Sequence, residues 1–293
     1  MKNLVISLMM CGLLLYTLPT LSFAAESGSQ TLEKPLIVGI FPRRSAKITM
    51  KLFRPLSDYL SEKLGREVKV VTSKNFKTFW KGVLKHQYDL VHYNQYHYVV
   101  SHQKYGYQVI LKNEEMGNDT ITGSIIVRKD SGIKSVLDLK GKKIVFGGGK
   151  RAMQSYIVAR YLLEQGGLKW GEYEADFAKN PPSAIKAAFF KQADAAGAGD
   201  VVLKLNVVKK KVDIEQLEYL ARGERLPHLP WAVKSDMPTE LRDEIQMLMA
   251  DLKQSSEGQT LLKNMRLTSL NPATDEEFNR HREIIQAVLD EQY

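Results

Sequence analysis

The sequence predicts an α/β protein built as two lobes, on three observations. Between Pro35 and Val91, apolar strand-like runs alternate with two amphipathic helical runs, the pattern of a parallel sheet. The same alternation restarts at Ile121 after a polar stretch. The chain has 293 residues, 44% hydrophobic and 26% charged, which suits two lobes of ordinary size.

In the first half, residues 35–41 read as a buried strand. Ser45 is placed to cap a helix whose apolar positions Ile48, Leu52, Leu56, Tyr59, Leu60 and Leu64 recur near every fourth residue until Gly65 stops it. A second strand follows at 68–71. Asn75 is placed to cap the next helix, with Phe76, Phe79, Trp80, Val83 and Leu84 on one face, and 88–91 reads as a third strand. A Tyr- and His-rich segment and a strand at 107–111 come next, and polar 113–120 reads as a crossover.

In the second half, 121–128 reads as a strand, Ser135 to Gly141 as a short helical turn, and 143–146 as the strand leading into Gly147-Gly148-Gly149. A helix is predicted over 153–165, ended by Gly166-Gly167, and another opening at Pro181-Pro182 through Ser183, Ile185, Ala188 and Phe189. Small residues 193–199 give a strand and turn before Asp200, and 217–220 and 229–233 read as strands. Two late helices, 239–253 and 274–289, are predicted with no strand between them and are expected to pack back on the first lobe.

Residues 1–24 read as a secretory leader: Lys2, an apolar run over 4–21, then Ser22-Phe23-Ala24 as a small-x-small cleavage pattern. The exported chain is expected to begin at Ala25 or Glu26 and to be periplasmic. The one cysteine, Cys11, falls inside the leader, so disulfides, thiolate metal sites and cysteine nucleophiles are not expected after export. Forty-two Lys+Arg against 33 Asp+Glu give a formal charge of +9, which suits an anionic ligand. The cations are scattered and gather into no stripe, so nucleic acid is not an expected partner.

The Gly147-Gly148-Gly149-Lys150-Arg151 turn ends a strand and opens a helix. It is no P-loop, since Arg follows Lys150 and Ile144 stands where the first glycine of that motif would be. Free N–H groups at a helix start and two cations favour an anion there, while the plainer reading is a tight turn with solvated cations. Cations at a helix N-terminus oppose its dipole, and local rules tend to break at functional sites.

His92-Tyr93-Asn94-Gln95-Tyr96-His97-Tyr98 falls at the carboxyl edge of the first sheet, where open α/β folds place ligands; otherwise its tyrosines simply pack. His92, His97 and His102 recur every five residues, which fits no zinc helix, and no metal is expected. Asp200 serves either as a helix cap or as a polar contact in the cleft, and His228 lies on the return segment between lobes. No catalytic triad spacing, paired-carboxylate motif or HExxH helix is present.

Several stretches carry a resemblance: Leu36-Ile37-Val38-Gly39-Ile40-Phe41-Pro42, Phe53-Arg54-Pro55-Leu56-Ser57-Asp58-Tyr59-Leu60, residues 123–133, and Asp138-Leu139-Lys140-Gly141-Lys142-Lys143-Ile144. The chain resembles the phosphate-, phosphite- and phosphonate-binding (PhnD-like) proteins of ABC importers over nearly all of its length past the leader. The resemblance implies a type II periplasmic binding fold, with lobe 1 from 25–121 and 226–293, lobe 2 from 122–225, and a two-strand hinge between them. In the family a Ser-Thr-Ser-Gly run at the second-lobe helix holds the oxyanion; here Ala152-Met153-Gln154-Ser155 take its place, followed by Tyr156. Family cleft residues carry over to Tyr93, Gln95, Tyr96, His97 and Asp200. Lys150, Arg151, Gln154, Ser155, Tyr156 and His228 complete the candidate ligand site. What is implied is a monomeric solute-binding component, not an enzyme and without a cofactor, that closes on a small anion and delivers it to an ABC permease. The rivals are a partner of a membrane sensor kinase and an exported enzyme using the same cleft.

Overall fold

In the computed structural model, which describes residues 34–293, two sheets organise the chain. The leader and Cys11 lie outside the described residues. The first sheet opens with β1 (Leu36–Ile40), α1 (Ala46–Leu64), β2 (Val68–Thr72), α2 (Phe76–Leu84), β3 (Leu90–His92), α3 (Gln95–Tyr105) and β4 (Tyr107–Glu114). β1 pairs in parallel with β2 and with β3, as the alternating runs predict. Ser45 caps α1 by accepting the Ile48 N–H, and Gly65 ends it at φ 62.

After β5 (Thr120–Ile121) the second sheet begins. Its elements are β6 (Gly123–Arg128), β7 (Lys143–Gly147), a π-helix at Met153–Val158 that continues as α4 (Ala159–Gln165), β8 (Glu174–Ala178), α5 (Pro181–Phe189), β9 (Ala195–Gly199), α6 (Asn206–Lys209) and β10 (Leu217–Arg222). The strand order is β10-β6-β9-β7-β8. The chain returns through β11 (Leu226–Pro227), which pairs antiparallel with β5. Then β12 (Pro230–Lys234), α7 (Thr239–Ala250), α8 (Ser256–Met265), β13 (Ser269–Pro272) and α9 (Asn279–Leu289) complete the first half, whose order is β13-β4-β12-β3-β1-β2. Two strands thus cross between the sheets side by side.

Several elements depart from the sequence prediction. The helix predicted over 239–253 frays into a 3-10 turn at Asp251–Gln254 and restarts as α8, capped by Ser255; the polar first turn of α8 hides its apolar face at Leu261, Leu262 and Met265. A strand, β13, does lie between the late helices, pairing only with the edge of β4. β8 is likewise an edge strand, and its alternating charge reads as loop. α7 and α8 pack on the first sheet with α1 around Leu56, Leu60, Ile245 and Leu262. α9 packs on α3 but also reaches the second half, where Arg280 Nη2 donates to Tyr161 Oη at 3.2 Å. Among the described residues no helix is long and apolar enough to cross a membrane.

Candidate functional site

The glycine turn closes β7. Gly148 sits at φ 121, a region few side chains adopt, and its N–H reaches the Phe146 and Ala178 carbonyls at 3.1 and 2.8 Å. The chain then winds as a π-helix where an α-helix was predicted: the amides of Tyr156 and Ile157 both donate to the Ala152 carbonyl, at 3.0 and 3.1 Å. The preceding amides, of Met153, Gln154 and Ser155, have no backbone acceptor among the described residues, which leaves the donors an anion needs. π-Bulges are rare and gather at functional sites.

The side chains here divide sharply. Ser155 spends its hydroxyl on the Gly147 carbonyl at 2.6 Å, and the buried Tyr156 accepts from Arg160 Nη1 at 3.4 Å. Gln154 is 8% exposed, yet neither its Nε2 nor its Oε1 has a hydrogen-bond partner among the described residues. A buried polar group left unsatisfied costs about 1–3 kcal/mol, and native folds rarely tolerate one without a reason. A ligand that offers both a donor and an acceptor would satisfy it.

Lys150 and Arg151 do not converge on the turn. Lys150 Nζ lies 5.9 Å over the Trp170 ring. Arg151 reaches across to the first lobe, its guanidinium 5.8 Å over the Tyr96 ring and its carbonyl accepting from Asn94 Nδ2 at 3.1 Å.

The segment after β3 supplies that opposing wall. Asn94 caps α3 by accepting the His97 N–H, which frees its Nδ2 for Arg151. Tyr93 is fully buried, its hydroxyl 2.6 Å from Ser101 Oγ, and burial pushes its pKa well up; it packs in the core, the plainer of its two readings. Tyr96 Oη donates to Glu291 Oε2 at 2.7 Å. His97 lies between Phe76 and Trp80, with ring centroids 6.0 and 5.0 Å away, and is pushed down to about 3 by burial and then by Arg151. Gln95 is fully buried; Nε2 donates to the Pro227 carbonyl at 3.0 Å, and Oε1 has no partner among the described residues. Asn94 and Gln95 are therefore the side chains this segment brings to the junction.

At the crossing strands the carboxylates are already engaged. Asp200 does not cap the 3-10 turn it opens. Its Oδ1 accepts from the Thr122 N–H at 3.3 Å, and its Oδ2 from Arg222 and Arg225 at 2.9 and 3.0 Å. His228 is 1% exposed and pushed down to about 4, by burial above all. Glu115, beside it, is half-buried, which by itself would raise its pKa, yet Arg43 at 3.4 Å helps hold the carboxyl below its ordinary range.

Arg43 and Arg44, which line a pocket with His92 and Glu115, are candidate site residues that sequence reasoning missed. They stand directly before the cap of α1, with no acidic residue in its first turn. The breach of helix-dipole preference that draws attention to Lys150 and Arg151 applies to them equally. Among the described residues no group of three His, Cys, Asp or Glu side chains is placed to hold a metal ion. His92 stacks on Trp231 with ring centroids 4.4 Å apart, while His102 faces Asp275 at 3.3 Å.

Two α/β lobes joined by paired crossing strands, with partnerless polar groups gathered beside the crossing, define a periplasmic binding protein of type II. The model of the phosphonate ABC-transporter periplasmic substrate-binding family matches residues 38–278, and the chain belongs to that family, whose members are transport components. PhnD1 from Prochlorococcus marinus (MIT 9301), solved in complex with methylphosphonate, is 19% identical with a TM-score of 0.76, covering 88% of this chain and 99% of that one. A binding-protein component of a phosphonate ABC transporter from Pseudomonas aeruginosa is 15% identical with a TM-score of 0.73, covering 88% of this chain and 87% of that one. A Xanthomonas citri protein bound to ATP is 14% identical with a TM-score of 0.74, covering 87% of this chain and 98% of that one.

Proposed function

We propose that this chain is a monomeric, exported solute-binding protein that closes its lobes on a small phosphorus oxyanion and delivers it to an ABC permease. The observation that carries this reading is Gln154, a buried amide whose donor and acceptor both lack partners, at the head of a π-helix with three amides that have no backbone acceptor. A monoprotonated phosphonate or phosphite fits that pair: a P–O⁻ accepts from Nε2 and the backbone amides, and a P–OH donates to Oε1. A sulfonate, ionised throughout the neutral range, has nothing to donate to Oε1. In this reading Gln95 and Asn94 close the site from the first lobe, residues 34–121 and 226–293 move as one body against 122–225, and the crossing strands act as the hinge.

Calorimetric titration with methylphosphonate, phosphite, phosphate and methanesulfonate tests the reading. Binding of a phosphorus oxyanion is expected, with methanesulfonate weaker and with about a tenfold or greater loss of affinity in Gln154→Leu, the scale of a hydrogen bond to a charged group. Unchanged affinity in Gln154→Leu would move the ligand elsewhere.

A further inference from the structure

The charges around the hinge bear on the other end of the ligand. Glu115, Asp119, Asp200 and Glu224 each already face a cation: Arg43 at 3.4 Å, Lys112 at 3.2 Å, Arg222 and Arg225 at 2.9 and 3.0 Å, and Arg280 at 2.7 Å. A ligand ammonium group would have to displace one of these cations to reach any of these four carboxylates. The cations, by contrast, are in surplus. A pocket at the carboxyl edge of the first sheet is lined by Arg43, Arg44, Thr49, His92, Asn113 and Glu115, two guanidiniums to one carboxylate. Arg44 has no hydrogen bond or salt bridge among the described residues. It is pushed down to about 10 by burial first and then by the cations Arg43 and Arg266 beside it, and so stays charged at neutral pH. The 19-residue α1 starts beside this pocket and adds its positive end.

His228 supplies the second, independent observation. Its Nδ1 accepts the Leu229 N–H at 2.8 Å, which places the proton of the neutral ring on Nε2. That N–H is buried and finds no acceptor among the described residues, with Glu115 Oε2 4.0 Å away. His228 follows directly on β11, one of the two crossing strands, and Glu115, which its Nε2 faces, lines the arginine pocket.

We propose that Arg43, Arg44 and the Nε2–H of His228 form a second anion subsite, which takes the far end of the cleft ligand. The ligand then carries a carboxylate or a second phosphoryl group, not an ammonium group, joined by a short spacer to the oxyanion at Gln154. This rests on the oxyanion site proposed above and assigns the class of its substrate.

The test is titration of the purified protein, at fixed ionic strength, with methylphosphonate, 2-aminoethylphosphonate, phosphonoacetate, 3-phosphonopropionate and methylenediphosphonate. At least one of the three doubly anionic compounds is expected to bind about tenfold tighter than methylphosphonate, as charge-assisted hydrogen bonds allow, with 2-aminoethylphosphonate the weaker of the two singly anionic ones. Whether a carboxylate or the diphosphonate wins separates the two chemistries. Arg44→Gln, and separately Arg43→Gln, should collapse that preference to within about threefold, as the loss of a hydrogen bond to a charged group would. If methylphosphonate binds but no second anion improves on it, if 2-aminoethylphosphonate is preferred, or if the preference survives both variants, the subsite is wrong and the oxyanion site stands. If none of the five binds, both fall.

Discussion

Burial decides the chemistry of single residues here, and four histidines show it most plainly. His92, His97 and His281 are pushed down to about 3, and His228 to about 4, in each case chiefly by burial. An unfolded histidine takes up a proton near pH 6.5, which these folded ones refuse. Their contribution to stability is therefore complete above about pH 6.5 and is lost as pH falls toward 4, at about 1.4 kcal/mol per pH unit for each histidine. His281 is the cleanest test, because its ring stacks on Phe278 and neither nitrogen has a partner. Urea unfolding at pH 7 and pH 5 should show a smaller loss of stability in His281→Phe than in the parent, and an equal loss would mean that His281 does not titrate as described. Sequence pattern pointed to His97 and Tyr93 as ligand contacts because polar tips at a sheet edge look available. His97 is enclosed by Phe76 and Trp80 of the preceding helix, and Tyr93 turns inward to Ser101 two turns along α3, and neither packing shows in the pattern of polar tips.

At the scale of elements, the small-residue strand β9 and the π-helix are one device. Ala195, Ala196 and Ala198 are fully buried because α5 covers one face of the strand and the π-helix the other. A Cβ on Gly197 would come 2.5 Å from the Ser155 carbonyl and 2.4 Å from the Phe146 ring, so glycine is what lets the helix approach the sheet. Gly197→Ala should therefore push the π-helix outward, costing about 1–3 kcal/mol, the usual scale for overpacking a tight core, and weakening oxyanion binding together with stability. Full stability in chemical denaturation would show that the strand yields without disturbing the site. The run of alanines and glycines was legible as a strand, but the cause of its smallness was not. A π-helix has no signature in apolar spacing, since it adds one residue to a turn that otherwise keeps helical periodicity.

For the whole molecule, the proposed closure brings Arg151 onto Tyr96 and the Arg151 carbonyl to Asn94. Saturating methylphosphonate should shrink the radius of gyration in small-angle scattering. Arg151→Ala should need about two- to fivefold more ligand for the same change, the scale of an exposed cation–π contact. An unchanged radius across the titration would remove hinge closure as the response. The sequence by itself determined the α/β class, the parallel core of the first sheet, the caps at Ser45 and Asn75, the glycine turn and the family, because strand and helix periods and turn chemistry are local and survive in any context. Only the tertiary structure decided which polar groups are left without partners: it consumed Ser155, Asp200 and Tyr93 in internal bonds, left Gln154 bare, and set Arg43 and Arg44 in one pocket with Glu115, the carboxylate that His228 faces. The reason is that hydrogen-bond satisfaction is settled by neighbours distant in the chain, as Asp200 with Arg222 and Gln95 with Pro227 show.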